Sequence, residues 1–174
     1  MGRAQADGET LGAPRSENQP RGDRVRAAQI RVALHGSIVL SIGLLCGVPY
    51  GQAITASWGA DAVRAWHTAH LGLVVGGVWM LASAGVLSFL ELGPRLRTAL
   101  VLLLVVSGYG FSLALVVAAS SGVRGLEPVG PIVNWVAFVG NTIAAAAALG
   151  SLGIIMVGCA RGIAVASGDD GRSR

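Results

Sequence analysis

Three histidines and two neutral polar residues are the groups with which this chain could do chemistry inside its apolar segments. His67 and His70 are three residues apart, so on a helix both project from nearly the same face. His35 stands alone near the start of another apolar run, where a neutral imidazole can bond a neighbouring carbonyl. Tyr109 and Asn141 lie in two later runs. Polar groups in such surroundings are costly, so each is expected either to join helices or to have a function.

The histidine pair suits one metal chemistry better than another. A catalytic zinc ion normally takes three protein ligands, and no Cys, Asp or Glu lies within plausible reach of His67 and His70 in the sequence. Haem iron needs one proximal histidine, because the porphyrin supplies four nitrogens and an apolar slot between helices can hold the macrocycle. The residues alone leave His70 as either a haem ligand or a hydrogen-bonded histidine at a helix end.

Four apolar segments must position these groups. The 174 residues are 53% hydrophobic and 13% charged, with a mean hydropathy of +0.64, which is too apolar for a soluble domain. A helix needs about 20 apolar residues to cross a bilayer. We predict four spans, each free of Asp, Glu, Lys and Arg, at about residues 32–50, 67–90, 98–120 and 132–159.

Short connections between the spans favour antiparallel neighbours. The sequence therefore predicts an all-α membrane protein with four transmembrane helices in an antiparallel bundle over residues 31–161. Residues 1–30 are rich in Arg and poor in apolar residues, and we predict a disordered tail there. A second tail is predicted at 162–174. No signal peptide is expected, since the first apolar run follows a long polar segment.

The charges predict orientation and exclude one class of partner. All basic residues are Arg, and 11 of the 13 flank one side of the predicted spans, which places both termini in the cytoplasm of a multi-pass protein of the inner (plasma) membrane. The net charge of +4 does not indicate nucleic-acid binding, because no aromatic stacking residues accompany the arginines. Anionic lipid of the bilayer is their expected partner. Cys46 and Cys159 are isolated and predict neither a disulfide nor a zinc site.

Several short motifs together resemble one family. The run from Thr68 to Gly72, followed by Gly76-Gly77 in an apolar helix, resembles the histidine-containing stretch of the hydroxylaminobenzene mutase and styrene oxide isomerase family. Further similarities follow in the same order along about residues 30 to 160: His35-Gly36, Gly108-Tyr109, Arg124-Gly125-Leu126 and Gly130-Pro131.

The resemblance implies a small four-helix protein, a homotrimer, with haem b between subunits. His70 would then be the axial ligand of the iron, with His67 near a propionate and Gly72 and Gly76 offering a smooth face to the macrocycle. Ferric iron would act as a Lewis acid on the oxygen of a small hydrophobic substrate, an epoxide or an aryl hydroxylamine, so that a hydride or hydroxyl group migrates.

The chain departs from the family at three polar positions. The family's Asn after the histidine falls at Gly76, and an Asn and Tyr of the third helix fall at Phe111 and Leu115. Either the substrate differs, or Tyr109 and Asn141 take over the catalytic positions, or the chain binds haem without isomerising anything; we expect a different substrate. Two other functions stay open. They are a haem protein for electron transfer or sensing, with His35 or His67 as second axial ligand, and a cofactor-free membrane scaffold.

Overall fold

The computed structural model of the protein describes residues 19–170, with side chains from 22 to 167, and this part of the chain contains helices and no strand. The four helices are α1 (Gln19–Thr55), α2 (Ala60–Val86), α3 (Pro94–Ser121) and α4 (Ile132–Asp170). Each is long and apolar enough to cross a membrane. The prediction of an all-α protein with four helices able to span a membrane is confirmed for the described residues.

The helices do not end where the sequence placed the spans. α1 begins at Gln19, so residues 19–30 are helical, whereas the sequence predicts a disordered tail there. α4 continues to Asp170, through much of the second predicted tail. Within this earlier part of α1, Ala28 is buried. α2 stops at Val86, before the predicted end at 90. Residues 1–18 and 171–174 lie outside the described part of the chain.

A glycine ends α3 at its connection to α4. Gly122 adopts a left-handed conformation after α3 and its N–H bonds the carbonyl of Ala118, which satisfies an otherwise open carbonyl. In the connection that follows, Gly125 and Gly130 also have positive φ angles. The side-chain amide of Asn134 holds this connection, with bonds to the backbone of Gly125, Glu127 and Val129 at 2.7–2.8 Å.

The closest helix contact joins α1 and α2. A Cβ added to Gly43 would lie 2.6 Å from the backbone nitrogen of Val74, and one added to Gly77 would lie 2.6 Å from that of Leu40. Only glycine allows the two backbones to approach so closely. Before and after this contact along α1, the helix buries Val32, Val39, Cys46 and Ala53 at a seven-residue spacing. One continuous face of the helix therefore packs against the rest of the protein.

Among the helices, α4 packs on α3, and no described residue of the α4 helix lies within 8 Å (Cα to Cα) of the α1 or α2 helix. Near its end, Gly158 of α4 also contacts Leu90 and Leu92 of the α2–α3 connection. Small residues again make the contact of α4 with α3, since a Cβ on Gly110 would meet that of Ala144 at 2.9 Å. α1 and α2 form a tight pair on one side of α3, with α4 on the other side. This layout leaves a groove over α3, between α2 and α4.

Candidate functional site

His70 is held by a single hydrogen bond to the backbone of α1. Its Nδ1 lies 2.8 Å from the carbonyl oxygen of Gly43. A carbonyl can only accept, so Nδ1 must carry the hydrogen, and in the neutral ring the lone pair is on Nε2. No described residue makes a hydrogen bond to Nε2, and the ring is half-buried. The arrangement is one that metal-binding histidines use, with one nitrogen fixed by a carbonyl and the other left for the metal.

The room for this ring comes from a glycine on α1. A Cβ added to Gly47 would come within 3.2 Å of both Cε1 and Nδ1 of His70. Any larger residue would press on the imidazole and disturb its bond to Gly43. Gly43 and Gly47 are one helical turn apart, so a single stripe on α1 supplies both the acceptor and the space.

Two more rings complete the cluster around His70. The ring of Tyr50 stacks on His70, with centroids 6.1 Å apart and planes 18° from parallel. Tyr50 also contacts His67, at 5.2 Å and 56°. His67 is exposed and makes no hydrogen bond to a described residue. His67 and His70 therefore lie close together, as their spacing predicts. Tyr50 of α1 contacts both rings.

Gly72 and Gly76 lie on a different face of α2 from His70. At about 100° per residue, both are roughly 120–160° around the helix from the histidine. They line an apolar cavity of about 220 Å³ in the groove over α3, and His70 is not among its lining residues. The cavity walls include Trp79, Phe111 and Ser107. Gly77, which shares the face of His70, packs on α1.

Tyr109 forms a hydrogen bond with His35, a pairing that the sequence does not predict. Nδ1 of His35 lies 3.0 Å from the Tyr109 hydroxyl, and the two rings meet edge to face with centroids 5.6 Å apart. The bond joins α1 to α3. Because a hydroxyl both donates and accepts, it does not fix the tautomer of His35 in the way that a carbonyl fixes that of His70.

Asn141 contacts a different part of the molecule. Its amide Nδ2 donates to the carbonyl of Gly125 at 3.2 Å, in the connection that Asn134 also holds. The hydrogen-bond partners of Tyr109 and Asn141 therefore lie on different elements, α1 for the tyrosine and the α3–α4 connection for the asparagine. The structure gives these two residues no common partner.

The site that these residues form contains one imidazole held by a hydrogen bond, that of His70, and a second, exposed one, that of His67. Among the described residues, no group of three or more His, Cys, Asp or Glu side chains lies close enough together to hold a metal ion. One anchored imidazole beside apolar helix faces fits haem, in which the macrocycle supplies the remaining equatorial nitrogens. The residues present are thus compatible with the haem that the family resemblance implies.

Sequence reasoning missed Gly43, Gly47 and Tyr50. The signal was present, because Gly36, Gly43 and Tyr50 recur every seven residues and so fall on one side of α1. Glycines at such spacing mark a close helix contact. What the spacing alone does not give is the partner, since nothing in it identifies His70 as the side chain that fills the space.

One comparison with known protein families covers most of the helical region. The family model described as styrene oxide isomerase matches residues 28–160. This range includes most of α1, all of α2 and α3, and α4 as far as Ala160, and it contains His35, His70 and Tyr109. No curated protein and no solved structure matches the chain.

Proposed function

This chain belongs to the styrene oxide isomerase family, and from that premise we propose that it is a haem-b-dependent membrane isomerase acting on a small hydrophobic substrate that carries a reactive oxygen. An epoxide or an aryl hydroxylamine fits this description. Membership suggests isomerase activity; the haem, the substrate class and the roles of individual residues are our proposal.

The geometry of His70 supports the proposal more than any other observation. Its Nδ1–H is committed to the Gly43 carbonyl and its Nε2 has no described partner. A hydrogen bond of this kind orients an imidazole and raises its basicity as a ligand. We propose that His70 would hold the haem iron, and ferric haem bound there would supply a Lewis acid for the substrate oxygen.

The protein's own contribution is to orient the ligand and to keep the site dry. Gly47 leaves room for the imidazole and Tyr50 stacks against it, so that the ring is restrained on two sides. The surrounding faces are apolar, and an apolar site shields a cationic centre on the substrate from attack by water. Tyr109 and Asn141 would position substrate only if another copy or the substrate itself reaches them, because their described contacts lie elsewhere.

The described residues favour an open coordination position over electron transfer. A six-coordinate haem needs a second ligand on the opposite face of the macrocycle. His67 shares the helix face of His70 and so approaches from the same side. His35 is eight residues along α1 from Gly43, about 12 Å by helical rise. Neither is placed to ligate iron opposite His70 within one protomer.

A second copy of the chain would cover the open side of the ligand. Apolar side chains next to His70 are exposed, namely Leu44, Val48 and Leu71 at 49–60%. The macrocycle needs apolar walls on both faces, and one protomer supplies the ligand with one wall. We therefore propose a homotrimer with haem between protomers, as the family resemblance implies.

The test of the proposed function is spectroscopic and then chemical. The protein, purified in mild detergent from cells supplied with haem precursor, is expected to show a Soret band and to convert styrene oxide or phenylhydroxylamine to a rearranged product detectable by chromatography. A band without turnover of either compound would favour the electron-transfer or sensor function. A colourless and inactive protein would exclude the isomerase and the electron-transfer or sensor function, and the cofactor-free membrane scaffold would be the remaining function.

Orientation is a separate part of the proposal and has its own measurement. With Cys46 and Cys159 replaced by serine, a cysteine placed at Ala60 in the α1–α2 connection should react with an impermeant reagent in intact cells. One placed at Gly93 should not, because 11 of 13 Arg predict that end to be cytoplasmic. Labelling at Gly93 alone would reverse the orientation.

A further inference from the structure

A second cavity lies at the other end of α1, away from His70. It has a volume of about 480 Å³ and lies between the first turns of α1 and the beginning of α3. Its polar wall contains Arg24, Arg31, Arg97 and His35, and its apolar wall contains Val101, Leu102 and Val105. The proposed function does not use this cavity.

Arg97 is the unusual member of the polar wall. It is only 7% exposed, although an arginine is rarely buried without a carboxylate. Its Nη2 donates to the carbonyl of Leu92 at 3.0 Å, and its buried Nε has no hydrogen-bond partner. A buried guanidinium retains its charge, so this arrangement is costly unless an anion approaches it.

The described residues provide no such anion within the cavity. No Asp or Glu lines it, and no ion pair to Arg97 is found among the described side chains. Glu91 lines an adjoining cavity together with Arg26 and Arg97, and it has an interaction of its own. Arg24 and Arg31 are exposed and add two further positive charges at the mouth.

We propose that this cavity binds a phosphate-headed amphiphile, with the phosphate against Arg97, Arg24 and Arg31. Arginine is suited to phosphate because its planar guanidinium can give two parallel hydrogen bonds to two oxygens. The apolar wall suits an acyl chain, since Leu102 is 60% exposed on the same side of α3. An anionic phospholipid has both parts. Inorganic phosphate shares the head-group chemistry and lacks the chain.

The experiment compares ligands and matched arginine variants in purified full-length protein. Phosphatidylglycerol, phosphatidylcholine and inorganic phosphate are added separately in detergent, and the melting temperature and the lipid retained in native mass spectra are measured. Arg97→Gln removes the buried donor. Arg95→Gln is the control, because Arg95 is exposed in the same helical turn and does not line the cavity. The double variant Arg24→Gln/Arg31→Gln tests the mouth should Arg97→Gln fail to fold.

Phosphatidylglycerol should raise the melting temperature of the wild type and of Arg95→Gln and should be retained by both. Arg97→Gln, or the double variant, should bind it about tenfold or more weakly, as expected for the loss of a charge-assisted hydrogen bond. An equal effect of inorganic phosphate would identify the phosphate group alone as the ligand and exclude the acyl chain from the site. Equal binding by Arg95→Gln, Arg97→Gln and the double variant would overturn the proposal.

Discussion

Two histidine–tyrosine pairs occur in this protein, and they differ in what holds the imidazole. His35 shares a hydrogen bond with the Tyr109 hydroxyl, whereas His70 stacks on Tyr50 and gives its hydrogen bond to the Gly43 carbonyl. In the His35–Tyr109 pair the hydroxyl can donate or accept, so this bond does not fix the tautomer of His35. In the His70–Tyr50 pair, the backbone fixes the tautomer and leaves Nε2 available. The same two residue types thus make a helix contact at one place and a candidate metal ligand at the other.

The surroundings of the two pairs extend the contrast. The imidazole of His70 fits into a space that Gly47 leaves on α1, so the ring is positioned by backbone. His35 lies beside a basic cavity whose arginines have no described carboxylate partner in its lining. Substitutions should therefore affect cofactor binding at the His70–Tyr50 pair and stability or anion binding at the His35–Tyr109 pair.

The largest effect is expected from His70→Ala. Loss of the proposed imidazole ligand should abolish haem binding and isomerase activity, while insertion and folding persist, because the change removes one hydrogen bond between α1 and α2 and leaves the glycine contact of these helices in place. The measurement is the Soret absorbance per protein, together with the melting temperature. His35→Ala is the matched control and should keep its haem. A full haem complement in His70→Ala would contradict the assignment.

A large effect on stability is expected at the glycine that gives His70 its acceptor. Gly43→Ala places a methyl group 2.6 Å from the nitrogen of Val74, so α1 and α2 must separate, at a cost of about 1–3 kcal/mol. Haem binding should fall with it, since the Gly43 carbonyl moves. Gly76→Ala is the control, because nothing lies within 4 Å of its added Cβ. Thermal unfolding in detergent compares the two, and equal melting temperatures would show that the close contact is unimportant.

The spans were predictable because long runs without charge have few alternatives to a transmembrane helix. The start of α1 at Gln19 was not, since an Arg-rich sequence with few apolar residues is typical of a disordered tail and does not reveal the burial of Ala28. The residues of the site were partly predictable. The spacing correctly predicts that His67 and His70 share one helix face. The same helical periodicity puts Gly72 on a different face from His70, so the prediction that Gly72 and His70 border one haem surface neglects it. The rotation of α2 against α1, set by the contact of Gly77 with Leu40, cannot be read from α2 alone.

A smaller effect should separate the two tyrosines. Tyr109→Phe removes the hydroxyl that bonds His35, which should lower the free energy of unfolding by about 1 kcal/mol. Tyr50→Phe keeps the stacked ring and loses a hydroxyl that makes no described hydrogen bond, so its stability should be unchanged. Chemical unfolding of both variants gives the comparison. If Tyr50→Phe were the less stable variant, the distinction between the two pairs would be lost.

The smallest effect is expected from His67→Ala, and it is the sharpest test of which histidine binds the iron. His67 is exposed at the start of α2, and its described contact is with the ring of Tyr50, which also touches His70. Removing it leaves the Gly43 bond and the Gly47 space intact, so haem should remain in full amount. The Soret maximum should shift only slightly, because the Tyr50 ring loses its contact with His67 and can change its orientation relative to the His70 ring. Absorption spectra and a pyridine haemochrome assay measure both quantities. If His67→Ala bleached the protein while His70→Ala kept its colour, the ligand would be His67, and the orientation of His70 by Gly43 would be a helix contact like that of His35 with Tyr109.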